Sequence, residues 1–342
     1  MRNKTVPPMP SDLVDRLVSV TAKSSVAAES TRLAILLESF NRRTFELEKA
    51  TASRLVGRQT RWEMRRRRER DLAAANGGRL GVNDGKRPWV NWQEGGQGDP
   101  LLLLNGWTAS GLAWPSDWIE RLEQRFRVIR IDNRGSGWSR WAPAPFTIAD
   151  LADDARDVLR ACQVERATVL GLSMGGMVAQ ELAMRHPGVV DRLVLVATRP
   201  PTPAQITSDL PLLMQAMRPP ADGQELADYF HFMWAGFAAP GFAEANPDVM
   251  SELVSSILKR TTPRAGVLAQ SRAIFSWHGA HRLARVEHPT TVIHGSQDPL
   301  IPVGNGMRLS RLIPDASYLE IDGAGHLLPH EAPDLLAGVL GA

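Results

Sequence analysis

The chain has 342 residues, of which 43% are hydrophobic and 23% are charged, a composition typical of globular proteins and not of disordered or fibrous ones. A single cysteine excludes an intrachain disulfide, and no apolar run approaches the ~20 residues of a membrane-spanning helix. Because the polar start also lacks the apolar segment of a secretory signal, we expect a soluble cytoplasmic protein without stable membrane insertion.

Residues 1–76 differ in character from the rest of the chain. They carry 16 Lys and Arg against 9 Asp and Glu, whereas the remainder carries 24 against 28. Apolar residues recur three or four positions apart, which predicts a helical N-terminal extension that ends at Asn76-Gly77-Gly78. We interpret the basic run Arg65–Arg70 as a solvated helix face, with a self-association surface as the alternative and an anionic membrane or nucleic acid as the least favoured reading. The extension is a candidate for homo-oligomer contacts, and we expect no nucleic-acid partner.

From residue 77 onwards, short apolar runs alternate with helical patterns. Arg79–Val82 and Pro88–Trp92 flank the turn residues Asn83-Asp84-Gly85 and predict a hairpin. The buried strands predicted after it are Leu101–Leu104, Val128–Asp132, Thr168–Leu172, Leu193–Ala197, Thr291–His294 and Ser317–Ile321. The helices predicted between and after them are Trp114–Arg125, Ile148–Ala161, Met174–Arg185, Gly304–Ile313 and Pro333–Leu340. This alternation predicts an α/β fold, with a mostly parallel sheet and helices on both faces.

Residues 199–286 interrupt the alternation, because they contain no convincing strand. Helical patches at about Gln224–Trp234, Pro247–Arg260 and Pro263–Phe275 predict a helical lid inserted between two parts of the core, residues 77–198 and 287–342. The lid is rich in aromatic residues, which favours an apolar substrate pocket. The residues proposed for this pocket are Trp107, Phe230, Trp234, Phe237 and Trp277.

The segment from Gly171 to Gly175 reads Gly-Leu-Ser-Met-Gly and lies between a predicted strand and a predicted helix. Serine is a weak nucleophile unless it is exposed and paired with a base. A Gly-x-Ser-x-Gly turn supplies the exposure, because it lifts the hydroxyl above the sheet at a helix N-terminus. We therefore predict Ser173 as a catalytic nucleophile.

The base and the acid are expected further along the chain. His326 follows the last predicted strand in a glycine-containing loop and is the candidate base, with His330 as its main rival. Asp298, just past another strand, would orient the imidazole, and Asp322 is a poorer candidate for that role. The chain order of serine, acid and histidine agrees with a Ser-His-Asp triad of Ser173, His326 and Asp298.

A tetrahedral intermediate also needs backbone donors that hold its oxyanion. Met174 directly follows the nucleophile and should supply one N–H group. The second is expected from Asn105–Thr108, the loop after the first buried strand, with Trp107 as the donor.

These motifs together resemble the α/β-hydrolase family over about residues 79–342. Asp132–Gly137, His294-Gly295 and Glu331-Ala332-Pro333 also agree with the family's usual pattern. Within it, Met174–Ala179 and the single lid resemble small carboxylesterases, enol-lactone hydrolases and cofactor-free haloperoxidase-like enzymes. The chain departs from the family at Asn105-Gly106, where His-Gly is common, and in its N-terminal extension. Dehalogenases and epoxide hydrolases of this fold use aspartate as nucleophile, so those activities are not expected.

We expect a serine hydrolase that cleaves a carboxylic ester or lactone of a largely apolar small molecule, without a metal or an organic cofactor. One alternative is a C–C bond hydrolase or a cofactor-free haloperoxidase-like enzyme on the same triad. Another is a ligand-binding or scaffold protein that has kept the triad. Charged substrates are less expected, with Arg134 or Arg272 as candidates to bind a carboxylate.

Overall fold

The computed structural model describes residues 78–80, 90–140, 144–208 and 210–342. The predicted helical extension, its basic run and the predicted hairpin turn at residues 83–85 lie outside these ranges. In the described part of the chain, no helix is long and apolar enough to cross a membrane.

Eight strands form one sheet in the order β1-β2-β4-β3-β5-β6-β7-β8. The strands are Gly78–Leu80 (β1), Asn91–Gly95 (β2), Asp99–Leu104 (β3), Phe126–Asp132 (β4), Ala167–Leu172 (β5), Val190–Val196 (β6), Thr290–Gly295 (β7) and Ser317–Ile321 (β8). The β1–β2 and β2–β4 pairs are antiparallel and all other pairs are parallel. The predicted mostly parallel sheet is confirmed, and the six predicted buried strands coincide with β3 to β8 to within a few residues.

Eleven α-helices accompany the sheet within the described ranges. They are Ser116–Glu123 (α1), Ile148–Ala161 (α2), Met174–Arg185 (α3), Leu210–Ala216 (α4), Leu226–Ala235 (α5), Phe242–Ala245 (α6), Pro247–Lys259 (α7), Arg264–Phe275 (α8), Gly304–Leu312 (α9), Leu328–Glu331 (α10) and Pro333–Leu340 (α11). Short 3-10 turns lie at Gly111–Ala113, Gly137–Ser139, Pro187–Val189 and Ala280–Arg285. The sequence pattern missed α4, α6 and α10, which are too short to show a clear helical period.

Strand β3 shows why helices cover both faces of the sheet. Its four leucines are fully buried, and successive side chains of a strand point to opposite faces. Leu102 and Leu104 belong to the core cluster that includes α2 and α3, whereas Leu101 and Leu103 belong to the cluster that includes α1 and α11. A strand buried on both faces is a continuous apolar run, which is how β3 was recognised in the sequence.

Helix α2 has the bounds predicted from its sequence, because its start is marked chemically. The hydroxyl of Thr147 accepts from the N–H of Asp150, and the Asp150 carboxylate accepts from the N–H of Thr147. This reciprocal cap satisfies two N–H groups that would otherwise have no partner at the helix start. The helix then buries one apolar side against the sheet.

Helices α4 to α8 lie between β6 and β7, in the cap segment (residues 199–286). Apart from one isolated bridge between Thr202 and His278, the described residues of the cap segment form no strand pairing. Helix α8 is held against the core, since Gln270 accepts from the Thr108 N–H (2.7 Å) and donates to the Arg134 carbonyl (2.9 Å). The cap segment therefore contacts the loops that follow β3 and β4.

Candidate active site

Ser173 occupies a strained turn between β5 and α3. Its φ of 56° and ψ of −119° lie outside the regions that ordinary residues adopt, a strain that persists only where surrounding contacts hold it. The Ser173 N–H donates to the Val196 carbonyl at 2.9 Å, and its own carbonyl accepts from the Thr198 hydroxyl at 2.7 Å. The side chain does not cap α3, so the hydroxyl remains available for chemistry.

Glycines on both sides of Ser173 are required by close backbone contacts. A Cβ atom on Gly175 would lie 1.9 Å from the Leu104 carbonyl oxygen, and one on Gly171 would lie 2.4 Å from the Gly175 oxygen. These contacts bring the end of β3 against the start of α3. The Gly-x-Ser-x-Gly spacing is therefore a packing requirement of this turn as well as a chemical one.

We expect Gly175→Ala to lower the free energy of unfolding by about 3 kcal/mol, the upper part of the usual range for overpacking, because its new methyl group meets backbone that cannot rotate away. The matched control is Gly188→Ala, where nothing lies within 4 Å of the added atom and the change should be within about 1 kcal/mol. Denaturant unfolding of both variants measures the difference. Equal stability of the two would contradict the packing argument.

Asp298 and His326 form a buried hydrogen-bonded pair. The Asp298 Oδ2 lies 2.8 Å from the His326 Nδ1, and the Asp298 Oδ1 accepts from the N–H groups of Leu300 (2.9 Å) and Ile301 (2.8 Å). Burial would raise the pKa of the Asp298 carboxyl, but the charge of His326 and hydrogen bonds from His294 and His326 outweigh it and hold that pKa at about 2. Asp298 is therefore an ionised acceptor that orients the His326 ring.

His294 is a second histidine on the same carboxylate, and sequence reasoning gave it no role. Its side chain is fully buried, and its Nε2 lies 2.9 Å from the Ile301 carbonyl and 3.2 Å from the Asp298 Oδ2. Because a carbonyl can only accept, Nε2 of His294 carries a proton. His294 thus contacts the Oδ2 oxygen of Asp298, whereas the amides of the following turn bind its Oδ1.

Glu331 anchors the loop that carries His326. Its carboxylate accepts from the N–H groups of Gly325 (2.7 Å), Leu327 (2.8 Å) and Ala239 (3.1 Å). Burial raises the pKa of the Glu331 carboxyl, and these donors offset only part of that effect. The residues on both sides of His326 are therefore tied to one carboxylate and to the cap segment.

His330 and Asp322, the alternatives to His326 and Asp298, are hydrogen-bonded to other groups. The His330 ring bonds the Ala113 carbonyl at 3.1 Å, and burial lowers the pKa of His330 to about 4. Asp322 is exposed and accepts from the Ser296 hydroxyl at 3.2 Å. Neither residue is hydrogen-bonded to Asp298 or His326 within the described part of the chain.

Ser173 and His326 are not hydrogen-bonded to each other among the described residues. Both are largely buried, with 7% and 4% of their surface exposed, and both follow carboxyl ends of parallel strands at the same edge of the sheet. Hydrogen bonds of this kind are often long or misaligned before substrate binds.

The loop after β3 approaches Ser173 and contains one amide without a partner. A Cβ on Gly106 would lie 3.3 Å from the Ser173 Cβ. The Gly106 N–H donates to the Asn105 side chain at 2.7 Å, and the Thr108 N–H is taken by Gln270. Between them, the Trp107 N–H has no acceptor among the described residues. The loop next to Ser173 therefore has a free donor at Trp107.

The Met174 N–H is the second free donor, since it too lacks an acceptor within the described residues. It is the first amide of α3, where no intrahelical carbonyl is available. Asn105 keeps the opposite loop in place, because its amide group donates to the Ser110 carbonyl (2.9 Å) and its own carbonyl accepts from Asn133 (3.0 Å). Asn105 thus provides side-chain hydrogen bonds at a position where the family often has histidine.

The aromatic residues predicted for the pocket occupy different places. Phe237 packs edge-on against the His326 ring, with centroids 6.3 Å apart, and Trp234 packs edge-on against Phe237 at 5.7 Å. Phe230 lines a cavity inside the cap segment. The Trp107 indole donates to the Val267 carbonyl at 3.3 Å and so contacts α8.

Trp277 and Arg134 do not fit the roles expected for them. The Trp277 indole donates to Glu181 at 2.9 Å, and Glu181 is also ion-paired with Arg282, so Trp277 belongs to a buried polar cluster on α3. The Arg134 guanidinium is paired with Asp154 through two hydrogen bonds and is therefore already neutralised. The physical reason is the same for both, since each buried polar group is satisfied inside the protein.

In the described ranges, no three His, Cys, Asp or Glu side chains lie close enough together to hold a metal ion.

Comparison with known proteins identifies the family. The profile described as the alpha/beta hydrolase fold matches residues 99–333. A pimeloyl-[acyl-carrier protein] methyl ester esterase of Vibrio atlanticus is 30% identical over 242 residues, covering 69% of this chain and 90% of the esterase. A hydrolase from Pseudomonas aeruginosa has a TM-score of 0.62 at 27% identity, covering 76% of this chain and 100% of that one.

The enol-lactonase from Burkholderia xenovorans LB400 shares the fold, with a TM-score of 0.66 at 23% identity over 77% of this chain and 98% of the lactonase. A family profile that spans more than half of the chain and a relative aligned over nine-tenths of its length agree with the sheet order and the turn at Ser173. The chain therefore belongs to the α/β-hydrolase family and is a hydrolase.

Proposed function

We propose that the protein hydrolyses a carboxylic ester or lactone of a largely apolar small molecule, through an acyl-enzyme on Ser173. The observation that carries the proposal is the strained turn at Ser173 together with the amides of Trp107 and Met174, which have no acceptor among the described residues. An amide donor that is held in place without an acceptor is suited to the oxygen that becomes charged during acyl transfer. The methyl ester esterase among the relatives supports the ester class.

The reaction proceeds in two halves. The Ser173 hydroxyl attacks the substrate carbonyl while Nε2 of His326 takes its proton, and the N–H groups of Trp107 and Met174 bind the oxyanion. As the tetrahedral intermediate collapses, His326 returns the proton to the leaving alkoxide. A water molecule then attacks the acyl-enzyme with His326 as base, which releases the acid and restores the Ser173 hydroxyl.

Asp298 makes this proton transfer possible by holding the ring. Its Oδ2 accepts from Nδ1 of His326, which leaves Nε2 unprotonated and free to act as the base. Because the pKa of Asp298 is held at about 2, the carboxylate stays ionised throughout the neutral range and stabilises the imidazolium when it forms.

A fluorophosphonate probe combined with a substrate panel tests the proposal. We expect covalent labelling at Ser173, located by peptide mass spectrometry, together with hydrolysis of p-nitrophenyl esters or simple lactones. Labelling without turnover of any ester or lactone would favour a binding protein that has kept the triad. Turnover confined to β-diketones, or dependent on peroxide, would assign a C–C hydrolase or haloperoxidase-like enzyme instead.

Glu331→Gln is expected to lower kcat for ester hydrolysis by ~10²-fold, the scale of a small misplacement of a catalytic group. The amide presents an NH₂ group to backbone N–H donors that the carboxylate now binds, so the loop of His326 must shift. Steady-state kinetics measures the effect, with exposed Glu287→Gln as the matched control. An unchanged kcat would show that Glu331 does not position the base.

A further inference from the structure

A cavity of about 220 Å³ lies between the helices of the cap segment and the loop after β3. Most of its lining is apolar, with Phe230 and Met233 among the residues that form it. Thr108, the residue after the oxyanion donor Trp107, lines the cavity, and the Trp107 indole is bonded to Val267, another lining residue. The cavity therefore begins one residue from the proposed oxyanion donor.

Its size suits part of a small substrate. Pockets that enclose whole drug-sized ligands measure about 300–1,000 Å³, so this one fits a short chain. If the Trp107 N–H holds the carbonyl oxygen, the acyl carbon lies beside the same loop, and the chain attached to it is the part of the substrate that reaches the cavity.

The cavity contains positive charge without a matching carboxylate. Arg264 and Arg218 both line it, and no Asp or Glu does. One Arg264 nitrogen donates to the Met217 carbonyl, and neither arginine forms an ion pair within the described part of the chain. Burial lowers the pKa of Arg264, partly offset by the nearby Tyr229 phenol. Its remaining donors are available to a ligand.

Two other arginines of the fold have carboxylate partners, whereas the more deeply buried Arg199 donates to the carbonyls of Pro200 and Ile274. Arg134 is paired with Asp154, and Arg282 with Glu181. A half-buried cation without a counter-charge is costly, and a carboxylate that binds an arginine in a two-pronged arrangement removes much of that cost. The hydroxyl of Thr261, which also lines the cavity, has no hydrogen-bond partner among the described residues and adds a donor.

We propose that the substrate's acyl chain is short, apolar and ends in a carboxylate, which binds Arg264 inside the cap cavity. The substrate class is then a monoester of a short dicarboxylic acid, or a lactone that carries a carboxylate. This proposal rests on the proposed function. It differs from the sequence-based expectation, in which charged substrates are less expected and Arg134 or Arg272 would bind a carboxylate.

The test compares monomethyl adipate with its neutral counterpart, dimethyl adipate. In the wild type we expect a higher kcat/KM for the monoanion. Arg264→Gln, which keeps a donor for Met217 but removes the charge, should lower kcat/KM for the monoanion by ~10–100-fold and change that for the diester less than about threefold. Arg264→Lys should retain part of the preference. Exposed Lys259→Gln, a cap cation outside the cavity, should leave both substrates unchanged and controls for long-range charge.

Binding to Ser173→Ala separates this proposal from the proposed function. Calorimetry with monomethyl adipate should show an affinity that Arg264→Gln weakens by ~10-fold or more, whether or not the wild type turns the ester over. Equal losses on both substrates would assign Arg264 a structural role and overturn the proposal. So would a wild-type preference for the diester, or no measurable binding of the monoanion. If no ester of either kind is hydrolysed but the monoanion binds through Arg264, the proposed function fails and the carboxylate site stands.

Discussion

Ser173→Ala is expected to abolish ester hydrolysis, with kcat reduced by at least ~10⁴-fold. The substitution removes the only atom that forms the acyl-enzyme, and the residual rate comes from binding and the oxyanion donors alone. The fold should survive, because the Ser173 hydroxyl makes no hydrogen bond among the described residues and does not cap α3. Steady-state kinetics and thermal unfolding of the purified variant measure both effects.

The control for this experiment is a serine of the cap segment, away from the turn at Ser173. Ser255 is exposed on α7, so Ser255→Ala should retain wild-type rates and the same melting temperature to within about 1–2 °C, as surface substitutions usually do. If Ser173→Ala hydrolysed esters at the wild-type rate, a mechanism through an acyl-enzyme on Ser173 would be contradicted.

Asp298→Asn should lower kcat by ~10⁴-fold while leaving the site in place. The amide would keep an oxygen for the N–H groups of Leu300 and Ile301 and turn its NH₂ group towards His326. That forces the proton of the ring onto Nε2, which can then no longer accept one from Ser173. A kinetic comparison with Asp322→Asn, the exposed carboxylate that follows β8, decides between the two acids. A large loss in Asp322→Asn alone would transfer the role to Asp322.

The difference in stability between the wild type and Asp298→Asn should depend on pH. The folded-state pKa of Asp298 is about 2, below its ordinary value of 3.8, so the stabilisation from this group is fully present above 3.8 and is lost as the pH falls through about 2. Wild type should therefore be more stable than Asp298→Asn at pH 5 to 7, and the gap should narrow towards pH 2. Melting temperatures of both proteins across that range would show it, and a constant gap would contradict it.

The core of the fold was predictable because its signals are local. A fully buried parallel strand such as β3 is a continuous apolar run, and a helix such as α2 is marked by its cap at Thr147. The turn at Ser173 was recognisable for the same reason, since only glycine fits at Gly171 and Gly175. Patterns confined to a dozen neighbouring residues report on backbone geometry, which is set largely by those residues.

The supporting residues of the site were not predictable in this way. His294 and Glu331 lie in segments that agree with the family's pattern, but that pattern predicts no contact for either side chain. In the structure, His294 is fully buried against Asp298, and Glu331 accepts from the amides on both sides of His326. Gln270, on α8, accepts from Thr108 in the loop after β3, more than 160 residues earlier in the chain. Contacts between residues so far apart in the chain depend on how the cap segment packs. No local pattern in a single sequence predicts them.

The sequence by itself determined the α/β alternation, the nucleophile turn at Ser173 and the chain order of Asp298 and His326, because backbone constraints and chemistry select those residue types locally. Only the tertiary structure decided which polar groups are satisfied. It assigned Trp277 and Arg134 to internal partners. Among the described residues it left the amides of Trp107 and Met174 without an acceptor, and Arg264 with a carbonyl partner but no carboxylate. The physical reason is that a hydrogen-bonding group is available to a ligand only if no partner within the protein lies close enough to bind it. Which partners lie that close depends on the whole fold.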